Sequence, residues 1–339
     1  MRPIEDSTKP PSRRGPISRL ARGLERLAVA GLALALVGQL GRFSAPADAL
    51  NQFAPLWLSL GILGGLARLL LPGPRRAAAL VAAASALLAA YVLGPAFSQS
   101  FGRARPCGDP GTTIVDFNVW KENRDPARAV AWIRAQKPDL VVLEEAALNG
   151  GEVRAAMAVD LPFQIDCLAS DHRCSTVILS RTPPLASGGL AKGDAENRKA
   201  LSGAWAAFAT DRGPMTVVGL HLDRPWPFGV EQPSRLQTLD QFLDTTDRSS
   251  NVVVGDFNET PWSFALKRLD RLIGAPRATH GLATWPTPNG VFQLPLPPFL
   301  AIDQAYVGER IGMCSLSRGP NIGSDHYPLL IKIDRRLQP

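Results

Sequence analysis

The sequence predicts an α/β fold preceded by a helical, membrane-anchoring segment, and three observations carry that expectation. The first hundred residues contain three apolar runs free of charge. From about Gly111 the chain changes to short β-rich runs alternating with amphipathic stretches, the signature of an α/β domain. At 339 residues, with 45% hydrophobic and 20% charged residues, it suits one sizeable domain plus an appendage and is too apolar for a disordered polymer.

The apolar runs cover 27–41, 53–67 and 77–97. A bilayer core takes about 20 apolar residues, so the third run suffices, while the first two need their flanks. Arg13, Arg14, Arg19, Arg22 and Arg26 precede the first run, a layout shared with signal peptides, but two further runs argue for about three spans. Basic residues favour the cytoplasmic side, which assigns the Arg-rich start and Arg75-Arg76 to it and the loop 45–51 to the other face. Three crossings then carry everything after about Gln99 out of the cytoplasm, although Arg103 and Arg105 count slightly against this. The expected organisation is a basic cytoplasmic N-terminus (1–26), a membrane region of about three helices (27–98), a linker (99–110) and a catalytic domain (111–339). The expected location is a bacterial-type inner (cell) membrane, crossed several times, with the domain outside.

Charge follows the same division. Through Cys107 the chain holds 13 of its 37 basic but only 4 of its 30 acidic residues, leaving 24 basic against 26 acidic beyond. The pI of about 9.6 therefore belongs to the N-terminal segment and does not argue for a nucleic-acid partner. Cys107, Cys167, Cys174 and Cys314 all follow the last apolar run. In an oxidising compartment they can pair, with Cys167 and Cys174 closing a short loop, and no CxxC or Cys/His cluster suggests zinc.

Beyond Gly111, strands are expected at 112–118, 139–143, 176–180, 203–209, 215–221, 252–256, 302–307 and 328–333, and helices at 126–136, 232–243 and 262–269. The first helix begins with Pro126 in its first turn and ends before Pro138. The segment 286–298, rich in proline and apolar residues, reads as a long loop.

Several of these strands end in groups able to bind a metal or a phosphate. Ile114-Val115-Asp116-Phe117-Asn118 delivers a carboxamide, though a lone strand-end Asn is more often a turn former. Val141-Val142-Leu143-Glu144-Glu145 ends in two acids, costly to bury unless paired or bound to a cation, and spacing does not decide which points inward. Val217-Val218-Gly219-Leu220-His221 ends in a histidine that, alone, would usually be structural. Val252-Val253-Val254-Gly255-Asp256-Phe257-Asn258 is sharper, since its alternation puts Asp256 and Asn258 on one side. Ile302-Asp303 and Ser324-Asp325-His326 complete the set.

With these six motifs in this order, the chain over 111–333 resembles the endonuclease/exonuclease/phosphatase superfamily. The resemblance implies a four-layer α/β sandwich with two central β-sheets and a site where strand ends converge. It implies metal binding by Glu145, Asn118 and Asp325, and catalysis by His326, Asp303, Asp256, Asn258 and His221. Asp303 would orient His326, Asp256 and Asn258 would position water and phosphate, and His221 would face phosphate as in nuclease-like branches. Glu144 stands where the family usually has Gln, which leaves open which acid binds. The implied cofactor is Mg²⁺, with Mn²⁺ possible, since oxygen ligands suit hard cations.

The substrate expectation is a phosphate ester: nucleic acid, phospholipid or sugar phosphate. Arg198, Arg224 and Arg235 are candidates for a local basic patch, and the apolar loop pieces 225–228 and 291–300 for contact with a membrane or with bases. Packing within their own domain is the plainer role for those loops. The alternative function is a noncatalytic membrane-tethered binding module that retains the fold, disfavoured because no key polar position is apolar. No protein partner is indicated.

Overall fold

The computed structural model describes residues 16–98, 111–167, 176–190, 201–225, 233–290, 293 and 295–338. Cys107, Cys174, Arg198 and the loop pieces 226–228 and 291–292 lie outside them, as does the side chain of Arg235.

The N-terminal region folds as helices α1 (Pro16–Gly38), α2 (Ala45–Asn51), α3 (Ala54–Leu69) and α4 (Arg76–Ser98). α3 packs between α1 and α4. Small residues let them approach: a Cβ on Gly61 would collide with Ser85 of α4. Of the 22 exposed large hydrophobic side chains among the described residues, 16 belong to this region, among them Leu80, Leu87 and Tyr91 on α4. By length and composition, α4 is apolar enough over Arg76–Phe97 to cross a membrane, and α2 with α3 passes only as a pair bent by 60°. α1 does not pass, because its apolar half is continuous with a first half carrying Arg19, Arg22, Glu25 and Arg26. The loop expected at 45–51 is helical, with Pro46 in its first turn.

Beyond residue 110, two mixed sheets stack face to face. The first has the order β10-β11-β1-β2-β4-β3 and the second β5-β6-β7-β8-β9. They are built from β1 (Thr112–Asn118), β2 (Leu140–Glu144), β3 (Phe163–Asp166), β4 (Val177–Ser180), β5 (Ala186–Gly189), β6 (Ser202–Phe208), β7 (Met215–His221), β8 (Asn251–Asp256), β9 (Asp303–Val307), β10 (Met313–Arg318) and β11 (Leu329–Ile333). Period-2 alternation assigns each residue a face. Ile114, Leu140 and Val142 of one sheet meet Ala204, Val217, Val252 and Val254 of the other in the central core. Val115, Phe117, Val141 and Leu143 face outward onto α5 (Pro126–Ala135) and α6 (Asn149–Met157). Val218, Leu220, Val253 and Tyr306 face α7 (Pro233–Leu243) and α8 (Phe264–Ile273). The result is the expected four-layer α/β sandwich.

Each sheet has a single parallel pair, β1 with β2 and β7 with β8. Parallel neighbours need a crossover, and α5 and α7 lie in those two connections. The C-terminal ends of both pairs point to the same end of the sandwich, which is how side chains from distant segments meet. Three strands, β3, β5 and β10, and helix α6 were not among the expected elements. The third helix starts at Phe264 rather than Trp262, because Ser263 caps it by accepting from Leu266 N at 3.0 Å, and it extends to Ile273, where Gly274 with a φ of 68° ends it. Cys167 and Cys314 are disulfide-bonded, and no described cysteine is free. They sit at opposite edges of the six-stranded sheet, so they are not bonded to each other.

Candidate active site

Strand register brings the polar groups together. Asn118 lies opposite Glu144 across β1 and β2, and His221, Asp256 and Asp303 stand side by side across β7, β8 and β9. Gly255 makes the last step possible: its φ of 136° and the close approach of Leu220 O leave no room for a Cβ. The chain then turns through Asn258 at φ 52°, and Glu145 likewise leaves β2 at φ 51°. Two non-glycine residues in the left-handed region, each beside a strand end, mark backbone held by its surroundings.

Asp256 is the hub. Its carboxylate accepts from Asn118 Nδ2 at 2.9 Å and from the Asn258 backbone N at 2.9 Å. His326 Nε2 lies 3.7 Å and His221 Nε2 3.8 Å from its Oδ2. On the other side of its ring, His326 Nδ1 contacts Asp303 Oδ2 at 3.0 Å and Oδ1 at 3.1 Å. Asp303 thus orients the imidazole and leaves Nε2 aimed at Asp256. Burial alone would lower the His326 pKa, but Asp303, Asp256 and Asp325 raise it to about 10. The ring is an imidazolium at neutral pH, and burial in turn raises Asp256 above the usual carboxylate range against the pull of that imidazolium.

Glu145 sits apart from this buried network. Its Oε1 lies 4.0 Å from His221 Nε2 and 3.7 Å from Arg224, and its Oε2 accepts weakly from Lys121 N at 3.4 Å. Burial acts to raise its pKa, but His221, the Lys121 N–H, His326 and Arg224 together leave it below the ordinary value. Asn118 Oδ1 accepts from Trp120 N at 2.9 Å, and Ser324 Oγ donates to Asn118 O at 2.7 Å, tying β1 to the turn before Asp325 and His326. Asp325 is positioned by the Trp285 indole, whose Nε1 donates to Oδ2 at 3.3 Å.

All eight residues singled out in the sequence therefore lie at one end of the sandwich. Arg224 reaches the same pocket. The sequence did not single out Asp116 or Trp285. Asp116 has the parity of Asn118 and faces the gap between the sheets together with Glu144. Both acids are fully buried, and burial, then like charge nearby, holds both pKa values well above the ordinary range. Burial thus favours the protonated form of this pair, and a protonated carboxyl can donate where the amide of a Gln would. Glu144 thus points into the interior, and Glu145 is the acid at the pocket.

The chemistry of the donor set fits a hard divalent cation. Glu145 offers a carboxylate both of whose oxygens have only weak protein partners, 4.0 Å from His221, which itself lies 3.8 Å from Asp256. A tighter trio, Asp256, Asp303 and His326, also lies within metal-binding reach. It is better described as a hydrogen-bonded ion pair, because an imidazolium has no lone pair to offer a metal.

Comparisons agree with this architecture. Residues 117–326 match the family described as the Endonuclease/Exonuclease/phosphatase family. A search of curated protein sequences gave no match. Among solved structures, D. rerio TDP2 complexed with a single-strand DNA product superposes with TM-score 0.52 at 17% identity, covering 67% of this chain and 100% of that one. An endonuclease/exonuclease/phosphatase family protein from Leptotrichia buccalis gives 0.50 at 12% identity, covering 66% and 100%. Beta toxin from Staphylococcus aureus with bound magnesium ions gives 0.49 at 14% identity, covering 66% and 99%. The likenesses at TM-score 0.52 and 0.50 speak to the fold, and the family match spans more than half of the chain and all the motifs at its strand ends. The chain belongs to the endonuclease/exonuclease/phosphatase family.

Proposed function

We propose that the protein is a membrane-anchored, metal-dependent phosphoesterase that hydrolyses phosphodiester or phosphomonoester bonds by attack of water. One observation carries this reading: a buried imidazolium, His326, stands between Asp303 at 3.0 Å and Asp256 at 3.7 Å, beside a pocket lined by Glu145 and His221. Hydrolysis of a phosphate ester is opposed by the charge of the phosphoryl group, so fixed donors aimed at its oxygens lower the barrier. His326, kept protonated, is such a donor, with His221, Asn258 and Arg224 around it. Asp256, its pKa raised by burial, is a better base toward water than an exposed aspartate. No covalent enzyme intermediate is required.

Glu145, with Asn118 and Asp325, would hold the cation, Mg²⁺ or Mn²⁺ by its oxygen ligands. When bound, it would polarise the phosphoryl oxygen and offset charge on the leaving oxygen.

Anchoring is supported by the apolar α4 and by the concentration of exposed hydrophobic side chains on α1, α3 and α4. The end of α1, the start of α3 and the end of α4 lie toward the domain, while Arg19, Arg22, Arg26, Arg68, Arg75 and Arg76 lie at the opposite end of the bundle. That polarity favours a cytoplasmic basic end and a domain outside the cytoplasm, and the disulfide-bonded Cys167 and Cys314 fit an oxidising compartment.

The test uses the full chain in detergent with Mg²⁺, Mn²⁺ or chelator against bis(p-nitrophenyl) phosphate, single-strand and duplex DNA, RNA, phospholipids and sugar phosphates. Metal-dependent release of product from at least one is expected. No hydrolysis across the panel would refute the reading. Protease accessibility in intact cells tests the location, and a protected domain in right-side-out cells stripped of outer layers would refute it.

A further inference from the structure

The helical region does more than touch the domain; it grips the segment that follows Asn258. Asp48 of α2 accepts from the backbone N–H of Phe264 at 2.9 Å and of Ala265 at 2.7 Å. With Ser263 taking Leu266 N, the first turn of α8 is capped jointly by its own residue and by Asp48, 216 positions before Phe264. Gln52, just past α2, accepts from Thr260 N at 2.9 Å through Oε1 and donates to Glu259 Oε2 through Nε2. Trp262 inserts among Ala35, Ala54, Leu58 and Val92 of three helices, and its Nε1 donates to Gln52 O at 3.3 Å.

One peptide group shows what this grip controls. The Glu259–Thr260 peptide is held through its N–H by Gln52 and through its carbonyl by Gln304 Nε2 at 3.1 Å. Gln304 adjoins Asp303, which orients His326. The clamped peptide follows Asn258, whose left-handed backbone donates its N–H to Asp256 Oδ1 while its side-chain Nδ2 donates to Leu222 O. Asp48, Gln52, Thr260, Trp262 and Ser263 are all buried, so water does not compete for these bonds.

We propose that Asp48 and Gln52 are positioning residues for the catalytic loop, which makes the N-terminal helices a working part of the active site and not only a tether. This rests on the phosphoesterase reading for its kinetic consequence, but the clamp itself is independent of it. Loosening the clamp frees the 258–265 backbone and misplaces Asn258 and Asp256 relative to His326, a displacement that affects turnover more than substrate capture.

The experiment compares full-length wild type, Gln52→Ala, Asp48→Ala and the conservative Asp48→Asn in detergent. Hydrogen exchange of peptides spanning 259–266 is expected to accelerate at least tenfold in both alanine variants and less in Asp48→Asn, with α5 and β2 unchanged. On bis(p-nitrophenyl) phosphate with saturating Mg²⁺, kcat should fall about tenfold or more while KM stays within about twofold. Asp48→Asn, which keeps one acceptor, should recover part of the loss. Unchanged exchange in 259–266 would overturn the clamp. Faster exchange with unchanged kcat would overturn the positioning role. Should Asp48→Ala fail to fold, Gln52→Ala and Asp48→Asn decide the matter. An inactive wild type would count against the phosphoesterase reading, while exchange would still judge the clamp.

Discussion

Glu259 lies where the helices meet the catalytic loop, and replacing it with Gln should stabilise the protein in a pH-dependent way. Its carboxyl accepts from Gln52 and faces Asp48, with Ser263 and Arg268 also near. Burial, and then Asp48, raises its pKa from 4.5 to about 7 against the hydrogen bonds and Arg268. The folded chain holds this proton more tightly than the unfolded chain does. The resulting stability is complete below pH 4.5, is lost as pH rises from 4.5 to 7, and changes no further above that. A shift of this size corresponds to about 3 kcal/mol at pH 8. Glu259→Gln keeps an oxygen for Gln52 and carries no proton to lose, so it should match wild type near pH 4.5 and exceed it at pH 8. For a domain of this size the gain amounts to roughly 6 °C or more in Tm. The assay is thermal unfolding of full-length protein in detergent at pH 4.5, 6 and 8, followed by tryptophan fluorescence. A Tm difference that does not grow with pH would refute the assignment of a neutral acid at this joint.

The remaining expectations concern the site. Asp256→Ala and His326→Ala should each lower metal-dependent phosphodiester hydrolysis by about 10² to 10⁴ with the circular dichroism spectrum preserved, and near-normal kcat in either would remove them from the chemistry. Asp303→Asn takes away the first of the groups that raise His326 to about 10, so its pKa should fall back toward 6.5 and the alkaline limb of the kcat/KM profile should move to lower pH; an unmoved limb would show that His326 is not the titrating donor. Chelator should abolish activity, Mg²⁺ or Mn²⁺ should restore it, and Zn²⁺ should do so poorly, as measured by product release after metal add-back. Glu144→Gln should leave kcat within a few-fold and raise Tm at pH 8, whereas Glu144→Ala should cost about 2 kcal/mol by leaving Asp116 without its partner; a large kcat loss in Glu144→Gln would mean the acid itself is needed.

What the sequence revealed follows from burial. All eight expected strands exist within a residue or so of their bounds, because interior strands such as β2 and β8 are buried along their whole length and read as unbroken apolar runs. The three missed strands, β3, β5 and β10, are all at sheet edges, where at most one face needs to be apolar. Phe163-Gln164-Ile165-Asp166 alternates over four residues only, and Ala186-Ser187-Gly188-Gly189 has no large apolar residue to set a period. α6 was hidden by Gly150 and Gly151 in its first turn. At the site, each strand end was visible because a polar group terminating an apolar strand has to be explained. The clamp was not: nothing in the seven residues of α2 says that an aspartate there will cap a helix 216 positions later.

The register ambiguity between Glu144 and Glu145 has the same origin, and its resolution explains how the pocket tolerates so much acid. Parity puts Asn118, Asp116 and Glu144 on the inner face of one sheet, opposite Asp256 on the inner face of the other. If every one of these acids were ionised, Asp116, Glu144, Asp256 and Asp303 would surround one imidazolium in a space closed to water, a charge imbalance far more costly than holding protons. Burial, and then like charge nearby, opposes this by pushing Asp116 and Glu144 toward the protonated form. His326 then balances the Asp256–Asp303 pair it bridges, and Glu145, turned out of the interior by its left-handed backbone, is left charged at the mouth of the pocket. One strand end thus shifts two adjacent acids in opposite directions, an inner acid pushed toward its protonated form and an outer carboxylate held charged at the pocket.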